Sequence, residues 1–332
     1  MVRETEISIQ YAIRIYEMIP MKGVYLLKTD KGNKCLKKVN YNSQKLMYLY
    51  YAKEHIKNNG FSRIDKYFLT PAGSPYALVN EDVYIITDWI EGRECDFKKE
   101  EELRSAASAL GEFHLSARGF IPDESLKMRN DIGKLPTTLE KRLITLNRMR
   151  DIARKNKKKT NFDMLYLSNV EFYLNNAKKS IKQLDINCYG RVCQEAFDDR
   201  VLCHHDYTYH NILFDLNNEV NIVDFDYCKE EIQIYDVSTL IVKALKRLDW
   251  CEDKAKLIID SYNKVKQITN DEFNVLKAFL IFPQRFWRLS NRYYYREAGW
   301  SEATFDKKMK EIINEQENYM NLINKLDTIF NL

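Results

Sequence analysis

Cys203-His204-His205-Asp206-Tyr207-Thr208-Tyr209-His210-Asn211 is followed by the apolar run Ile212-Leu213-Phe214 and then by Asn221-Ile222-Val223-Asp224-Phe225-Asp226, and the fold turns on this stretch. From His204 to Asn211 it has the form H-x-D-x4-N, and further on it sets an acidic pair at the end of an apolar strand containing Val220, Ile222 and Val223. Phosphoryl transfer from ATP to a hydroxyl needs three things together: a carboxylate for the acceptor, oxygen ligands for metal, and a cation against the phosphates. A loop of this form followed by a hairpin supplies the first two. Asp206 is the expected catalytic carboxylate, Asn211 and Asp224 the expected metal ligands, with His204 and Asp226 in support. Oxygen donors in this number suit Mg2+, a hard cation that keeps several waters. The three histidines His204, His205 and His210 also raise a zinc reading, but they lie in one short loop that the phosphoryl-transfer reading already accounts for.

Upstream, residues 24–30 and 34–39 are apolar segments joined through Lys31-Gly32-Asn33, a hairpin signal. Lys34-Cys35-Leu36-Lys37 lies on the second of these strands, where a phosphate-binding lysine belongs. Strand alternation puts Cys35 and Lys37 on one face, so a small residue can line adenine while the amine reaches the phosphates. Gly23 alone precedes the first expected strand, which makes a poor glycine-rich loop. Asn42-Ser43 is expected to cap a helix that runs to about Lys57 and stops at Asn59-Gly60. That helix holds a single acid, Glu54, too late in the helix to be a good partner for Lys37. A second hairpin, residues 76–79 and 83–90 around Asn80-Glu81-Asp82, completes a small sheet-rich lobe.

Beyond residue 90 the pattern is helical. Leu103, Ala106, Ala107, Leu110 and Phe113 mark an amphipathic helix over residues 100–116, and helices return from 236 to the C-terminus. Residues 139–184 read as two helices joined by a lysine-rich turn, with 12 Lys/Arg against 4 Asp/Glu; that is +8 in a chain of net charge +4, leaving −4 elsewhere. The expected organisation is α+β and bilobal: a small antiparallel-sheet ATP-binding lobe over 1–90, a hinge near 88–91, and a mostly helical catalytic lobe over 91–332 carrying the basic helical insertion. With 45% apolar and 30% charged residues the composition is that of a globular protein rather than a disordered one. Seven scattered cysteines without a CxxC pair fit a reducing compartment and argue against structural zinc. No apolar run is long enough to span a bilayer, and the acidic N-terminus shows no signal peptide.

These segments resemble the aminoglycoside/choline kinase superfamily, and within it the CotS-type spore coat proteins. The resemblance rests on residues 203–211 and 222–228, on Glu91-Gly92-Arg93, on Phe282-Pro283-Gln284-Arg285-Phe286-Trp287 and on Arg292-Tyr293-Tyr294-Tyr295. It extends from Gly23 to the last helix. It implies a protein-kinase-like fold, ATP and Mg2+ as cofactors, and the same roles for Asp206, Asn211, Asp224 and Lys37. It also implies a hinge over Asp88 to Ile90 whose backbone meets adenine, and a structural aspartate at Asp236, which by itself also reads as the N-cap of the helix carrying Leu240, Ile241 and Leu245. Synthesis in the mother-cell cytoplasm followed by assembly into the spore coat is implied as well.

The expected function is phosphate transfer to a hydroxyl of a small molecule or a coat protein. The alternative is a catalytically silent coat module that keeps the fold for assembly. Arg285, Arg288, Arg292 and Arg296 share one helix face beside aromatics. The favoured reading pairs them with acids while the aromatics fill the core, and the other makes them a surface for an acidic partner. The basic stretch 148–159 reads as a solvated helix end and turn, with docking of another coat protein as the alternative reading. It lacks aromatics before Phe162, so nucleic acid is not an expected partner.

Overall fold

In a computed structural model of the chain, residues 3–126, 130–295 and 299–329 are described. They pack into two compact units. The first comprises Met1–Asp96, Ala109–Asn130 and Arg200–Glu230, the second Phe97–Ser108, Asp131–Asp199 and Glu231–Leu332.

The first unit opens with α1 (Glu4–Tyr11) and β1 (Ile15–Pro20), then β2 (Tyr25–Thr29), β3 (Gly32–Val39), α2 (Ser43–Asn58), β4 (Ala77–Val79), β5 (Asp82–Asp88) and β6 (Gly92–Glu94). The sheet order is β1-β2-β3-β5-β4, with every pairing antiparallel. The strand expected first is therefore second. The helix and strand before it escape a sequence reading because α1 buries only Ile7 and Tyr11, one turn apart, too few to set a period. Gly23 accordingly lies in the turn between β1 and β2. The first hairpin closes one residue earlier than expected, with Thr29 opposite Gly32 and Asp30-Lys31 as the loop. In the second, Val79 opposes Asp82, and Asn80 and Glu81 both adopt positive φ (50° and 69°), the backbone of a turn that follows the strand twist.

Strand alternation gives this sheet two different faces. Leu36 opposes Ile86, and with Leu27, Ile7, Tyr11 and Tyr84 they form one buried cluster under α1, where the Tyr11 hydroxyl donates to the Tyr84 carbonyl at 2.9 Å. Cys35 opposes Thr87 and Lys37 opposes Ile85 on the other face. Ile85 there packs with Val39 and with Leu46 of α2. Asn42 caps α2, its side chain accepting from the Lys45 N–H, and the helix ends where the sequence places it.

The same unit contains the second half of α3 (Glu100–Ser116) and the strands β7 (Leu202–Cys203), β8 (Ile212–Asp215), β9 (Val220–Ile222) and β10 (Lys229–Glu230). β6, β8 and β9 form a three-stranded sheet, and β7 pairs with β10. Gly92 opposes Asp215, and a Cβ at Gly92 would collide with the Phe214 carbonyl, so the Glu91-Gly92-Arg93 motif needs glycine for backbone approach. Segment 62–67 runs alongside, with Ile64 bridging Ile222 and Tyr67 bridging Thr87.

The second unit is helical: α4 (Leu135–Lys155), α5 (Asn161–Gln183), α6 (Ile186–Asp198), α7 (Ile234–Leu245), α8 (Glu252–Asn263), α9 (Asn270–Ile281), α10 (Gln284–Tyr294), α11 (Glu302–Asn314) and α12 (Gln316–Ile329). The basic turn between α4 and α5 does local work. Lys159 Nζ donates to the carbonyls of Arg154 and Asn156 at 2.9 and 2.6 Å, satisfying groups at the end of α4, and Thr160 with Asp163 forms the capping box of α5. Phe286 stacks on Tyr173 and Tyr166 at 3.9 and 5.1 Å, and Tyr293 stacks on Phe162 at 3.9 Å. Arg285 pairs with Glu315, and Arg292 lies 4.0 Å over the Trp300 ring. Arg288 departs from the expected acid pairing and is exposed, and Arg296 lies outside the described residues. Asp236 is not the N-cap of α7. It is the third residue of that helix, its N–H already bonded to the Gln233 carbonyl at 3.1 Å, and its carboxylate is buried in the first turn, where the helix dipole favours negative charge. No helix among the described residues is long and apolar enough to cross a membrane.

Candidate active site

The loop after β7 is fixed by hydrogen bonds of the buried His204. Its Nε2–H donates to the Val223 carbonyl at 3.0 Å, and its Nδ1 accepts from the Asp206 N–H at 3.2 Å. Both ring nitrogens are thereby engaged in orienting the loop, which removes His204 from a zinc cluster. His205 has φ 67°, a left-handed conformation that turns the chain toward Asp206. A short 3-10 turn, Tyr209–Asn211, then leads into β8. The Asn211 amide group donates to the Asp206 carbonyl at 3.0 Å and to Asp206 Oδ2 at 3.2 Å. The nitrogen of Asn211 is used to hold Asp206, so the side-chain oxygen is the atom of this residue available as a metal ligand.

β9 brings the acidic pair to the same place. The Val223 N–H donates to the Asn211 carbonyl at 3.0 Å, and Asp224 follows in a left-handed conformation, φ 63° and ψ 70°. Such a backbone in a non-glycine residue costs about 1–3 kcal/mol and persists only where surrounding contacts impose it. Lys37 supplies two of them, its Nζ lying 2.7 Å from Asp224 Oδ1 and 2.8 Å from Asp226 Oδ2. Burial pulls the Lys37 ammonium down, but Asp226 and Asp224 more than reverse this, and the net direction is up. Tyr41 Oη donates to Asp226 Oδ1 at 3.2 Å, and burial first, then Tyr67 and Asp226, push that phenol up.

Part of this set opens onto one cavity of about 420 Å³ within the first unit. Lys37, Asn211, Asp224 and Asp226 form its polar end; Val24, Cys35, Ile85 and Leu213 form an apolar wall. Thr87, Asp88, Trp89 and Ile90 edge it, as do Met21 and Lys22 of the β1–β2 turn. Asp88 is tied down by a 2.8 Å ion pair with Lys34 and by its N–H on the Lys66 carbonyl at 2.9 Å. Burial, then Asp65, push the Cys35 thiol up to about 11, so it is neutral there at ordinary pH. Asp206 does not line the cavity and joins it through Asn211. Asp236 belongs to the second unit.

Sequence reasoning missed a second charged pair. Lys53 of α2 lies 2.9 Å from Asp65 Oδ1, the two side chains 4% and 14% exposed, and both line the cavity. Its Nζ is 4.5 Å from the Tyr67 ring centroid and 5.3 Å from that of Phe225, the residue between Asp224 and Asp226. Burial pushes the Asp65 carboxyl up, and Lys53 draws it back. Glu54, the acid expected to be a poor partner for Lys37, pairs instead with Lys57 at 2.5 Å. The signal was present: Lys53 interrupts the buried stripe Leu46, Leu49, Ile56 of α2, where a lysine needs a partner. Glu94 and His210, 3.1 Å apart at the exposed rim, were likewise not anticipated as a pair.

An antiparallel sheet with a flanking helix, the hairpin carrying Asp206, Asn211 and Asp224, and a helical remainder define a kinase-like fold of the aminoglycoside phosphotransferase type. An aminoglycoside phosphotransferase from Alicyclobacillus acidocaldarius superposes with a TM-score of 0.89 at 20% identity, covering 100% of this chain and 97% of that one. The AMP-bound complex of a spectinomycin phosphotransferase gives 0.68 at 15% identity, with 95% and 96% covered. At these identities the likeness shows the fold. The "Spore coat putative kinase YutH" family matches residues 4–326, and the chain belongs to it. It is also 21% identical over 311 residues to spore coat protein S of Bacillus subtilis, covering 93% of this chain and 88% of that protein.

Proposed function

We propose that this spore-coat family member is an ATP-dependent phosphotransferase acting on an alcohol, made in the mother-cell cytoplasm and placed in the coat. The observation that carries the reading is the cavity of the first unit, which joins an apolar wall to a polar end holding Lys37, Asn211, Asp224 and Asp226. The apolar wall, with Cys35 as its small residue, suits an adenine ring beside the backbone of Asp88 to Ile90, and Lys37 suits the phosphates. The oxygen donors of Asn211 and Asp224 fit Mg2+, which when bound offsets phosphate charge in the transition state. Asp206 accepts the proton of the acceptor hydroxyl as that oxygen bonds the γ-phosphorus and the bond to the ADP oxygen breaks. Asn211 holds Asp206 in place for this step through the 3.2 Å bond to its carboxylate. The acceptor is a small molecule or another coat protein.

A second reading, a catalytically silent coat module, is favoured by one observation: Lys37 bridges Asp224 and Asp226 and so occupies the charge a metal would need. Thermal melting with Mg-ATP and a direct assay of ADP release decide between them. Ligand held at a hundred times its Kd stabilises by about 2.7 kcal/mol. The enzyme reading expects a magnesium-dependent rise in Tm that Asp224→Ala abolishes, together with slow ADP release. An equal rise in EDTA removes the metal assignment, and bound ATP without any ADP leaves the silent module.

A further inference from the structure

Segment 62–68 ties two parts of the cavity together. At one end the Ile222 N–H of β9 donates to the Arg63 carbonyl at 2.9 Å, and Ile64 bridges Ile222. At the other the Asp88 N–H donates to the Lys66 carbonyl at 2.9 Å and the Phe68 N–H to the Ile86 carbonyl at 2.8 Å, while Tyr67 bridges Thr87 of β5. β9 leads into Asp224 and β5 into the edge formed by Asp88, Trp89 and Ile90, so the segment runs from the polar end of the cavity to that edge. Asp65 stands between the two attachments and gives its carboxylate to Lys53 of α2 at 2.9 Å.

The Lys53 ammonium gathers three pieces of chain. Besides Asp65 it faces the Tyr67 ring at 4.5 Å and, at 5.3 Å, the ring of Phe225, which separates Asp224 from Asp226. Phe225 is itself buried and packs on His204 at 4.9 Å and on Phe113 at 5.9 Å. His204 in turn holds the Val223 carbonyl and the Asp206 N–H. A continuous line of contacts therefore leads from Lys53 to Asp224 and to Asp206. Stability does not account for a charged pair here, because apolar residues of similar volume often replace a buried ion pair without loss. Apolar packing lacks direction, whereas an ion pair and a cation over a ring face both fix where their partners stand. Direction matters at this point, since Asp224 keeps its left-handed φ of 63° only while its surroundings impose it.

We propose that Lys53 and Asp65 are a positioning pair, holding Asp224 and the Asp88 edge in register through segment 62–68 and Phe225, a role that rests on the nucleotide reading of that cavity. The pair acts through these neighbours and not as a phosphate contact, because the Lys53 ammonium is already taken up by Asp65 and two rings. Lys266 and Glu272 of the second unit, a buried pair 3.1 Å apart that lines no part of the cavity, provide the matching control.

The test compares full-length variants by urea midpoint, by Mg-ATP calorimetry, and by acetylation of Lys37 with N-acetoxysuccinimide in the absence of metal and nucleotide, read by peptide mass spectrometry. Lys53→Met/Asp65→Leu is the decisive variant, because its stability should return close to wild type. Its Mg-ATP affinity should nonetheless fall about tenfold. Lys37 acetylation should speed up about tenfold, as for an ammonium whose pKa falls by one unit, because Asp224 no longer stands where it pairs with Lys37. Asp65→Asn, a near-isosteric change less demanding on folding, should move both readouts in the same direction. Lys53→Arg keeps a cation for Asp65 and for the rings, and should stay near wild type in both. Lys266→Met should lower the urea midpoint and leave both unchanged. Wild-type acetylation and affinity in the double variant would reduce the pair to a structural role and overturn the proposal, as would the same losses in Lys266→Met. Faster Lys37 acetylation confined to the pair variants, in a protein that binds no Mg-ATP, would leave the positioning standing while the nucleotide reading fell.

Discussion

Lys37 Nζ lies 2.7 Å from Asp224 Oδ1, and the same ammonium reaches Asp226 at 2.8 Å. One cation therefore bridges both carboxylates of the Asp-Phe-Asp segment and offsets half of their charge, and a metal must compete with it. Nucleotide phosphates offer Lys37 another partner, so metal and nucleotide should bind cooperatively, each raising the affinity of the other by the same factor. Lys37→Met separates the two effects. Without nucleotide, Mn2+ should bind the variant about tenfold more tightly than wild type, roughly 1.4 kcal/mol, because the carboxylates are freed. The Tm rise with Mg-ATP should shrink in the same protein. Unchanged Mn2+ affinity would show that the lysine does not control the site.

The Lys53–Asp65 pair sets a stability prediction. Removing one member of a buried pair leaves a charge without compensation and costs about 3–5 kcal/mol. Lys53→Met and Asp65→Asn should each lower the urea midpoint, while Lys53→Met/Asp65→Leu should recover most of the loss. Asp65 is already shifted above 3.8 by burial, and losing Lys53 shifts it further. A carboxyl raised in the folded state favours folding below its unfolded pKa and loses that contribution as pH rises through its folded pKa. The Lys53→Met deficit should therefore shrink as pH falls toward 4, the ordinary range of an aspartate. Additive single-variant losses in the double variant would mean that the two groups are not coupled.

What could be read from sequence depended on how local the signal was. The hairpin and cap around Asp30, Asn42, Asn80 and Asp82 rest on short-range turn and capping chemistry, and the folded chain places them within a residue of the sequence reading. The loop from His204 to Asn211 was legible because its spacing is itself the chemistry. Partners 12 to 187 residues apart, Lys53 with Asp65 and Lys37 with Asp224, were not, since no period announces which charges meet. The α1 helix failed for another reason: its burial comes from packing on the sheet through Ile7 and Tyr11, and its own residues carry little periodicity.

Cys35 reports on occupancy of the cavity. Its thiol is pushed up to about 11 by burial and by Asp65, so at pH 8 only about one part in a thousand is thiolate. Iodoacetamide labelling of Cys35, followed by peptide mass spectrometry, should be slow near neutrality and rise about tenfold per pH unit up to roughly pH 10. Saturating Mg-ATP should slow it further, because Cys35 lies on the wall assigned to adenine. Labelling that levels off near pH 8, or that ignores nucleotide, would contradict the placement.

Asp206 separates enzyme from scaffold. It is held by Asn211 and does not line the cavity, so Asp206→Asn should leave Mg-ATP affinity nearly unchanged. A positioned general base contributes about 10²–10⁴ in rate, and turnover should fall by that range if the protein is a kinase. The substitution is near-isosteric, and an unchanged melting curve would exclude lost folding as the cause. Spores carrying Asp206→Asn should then show the coat defect of a deletion strain. A scaffold expects normal coats from the point variant and defective ones only when the whole chain is missing. Normal coats in Asp206→Asn spores, combined with no ADP release from the wild-type protein, would falsify the enzyme reading and leave the fold serving assembly alone.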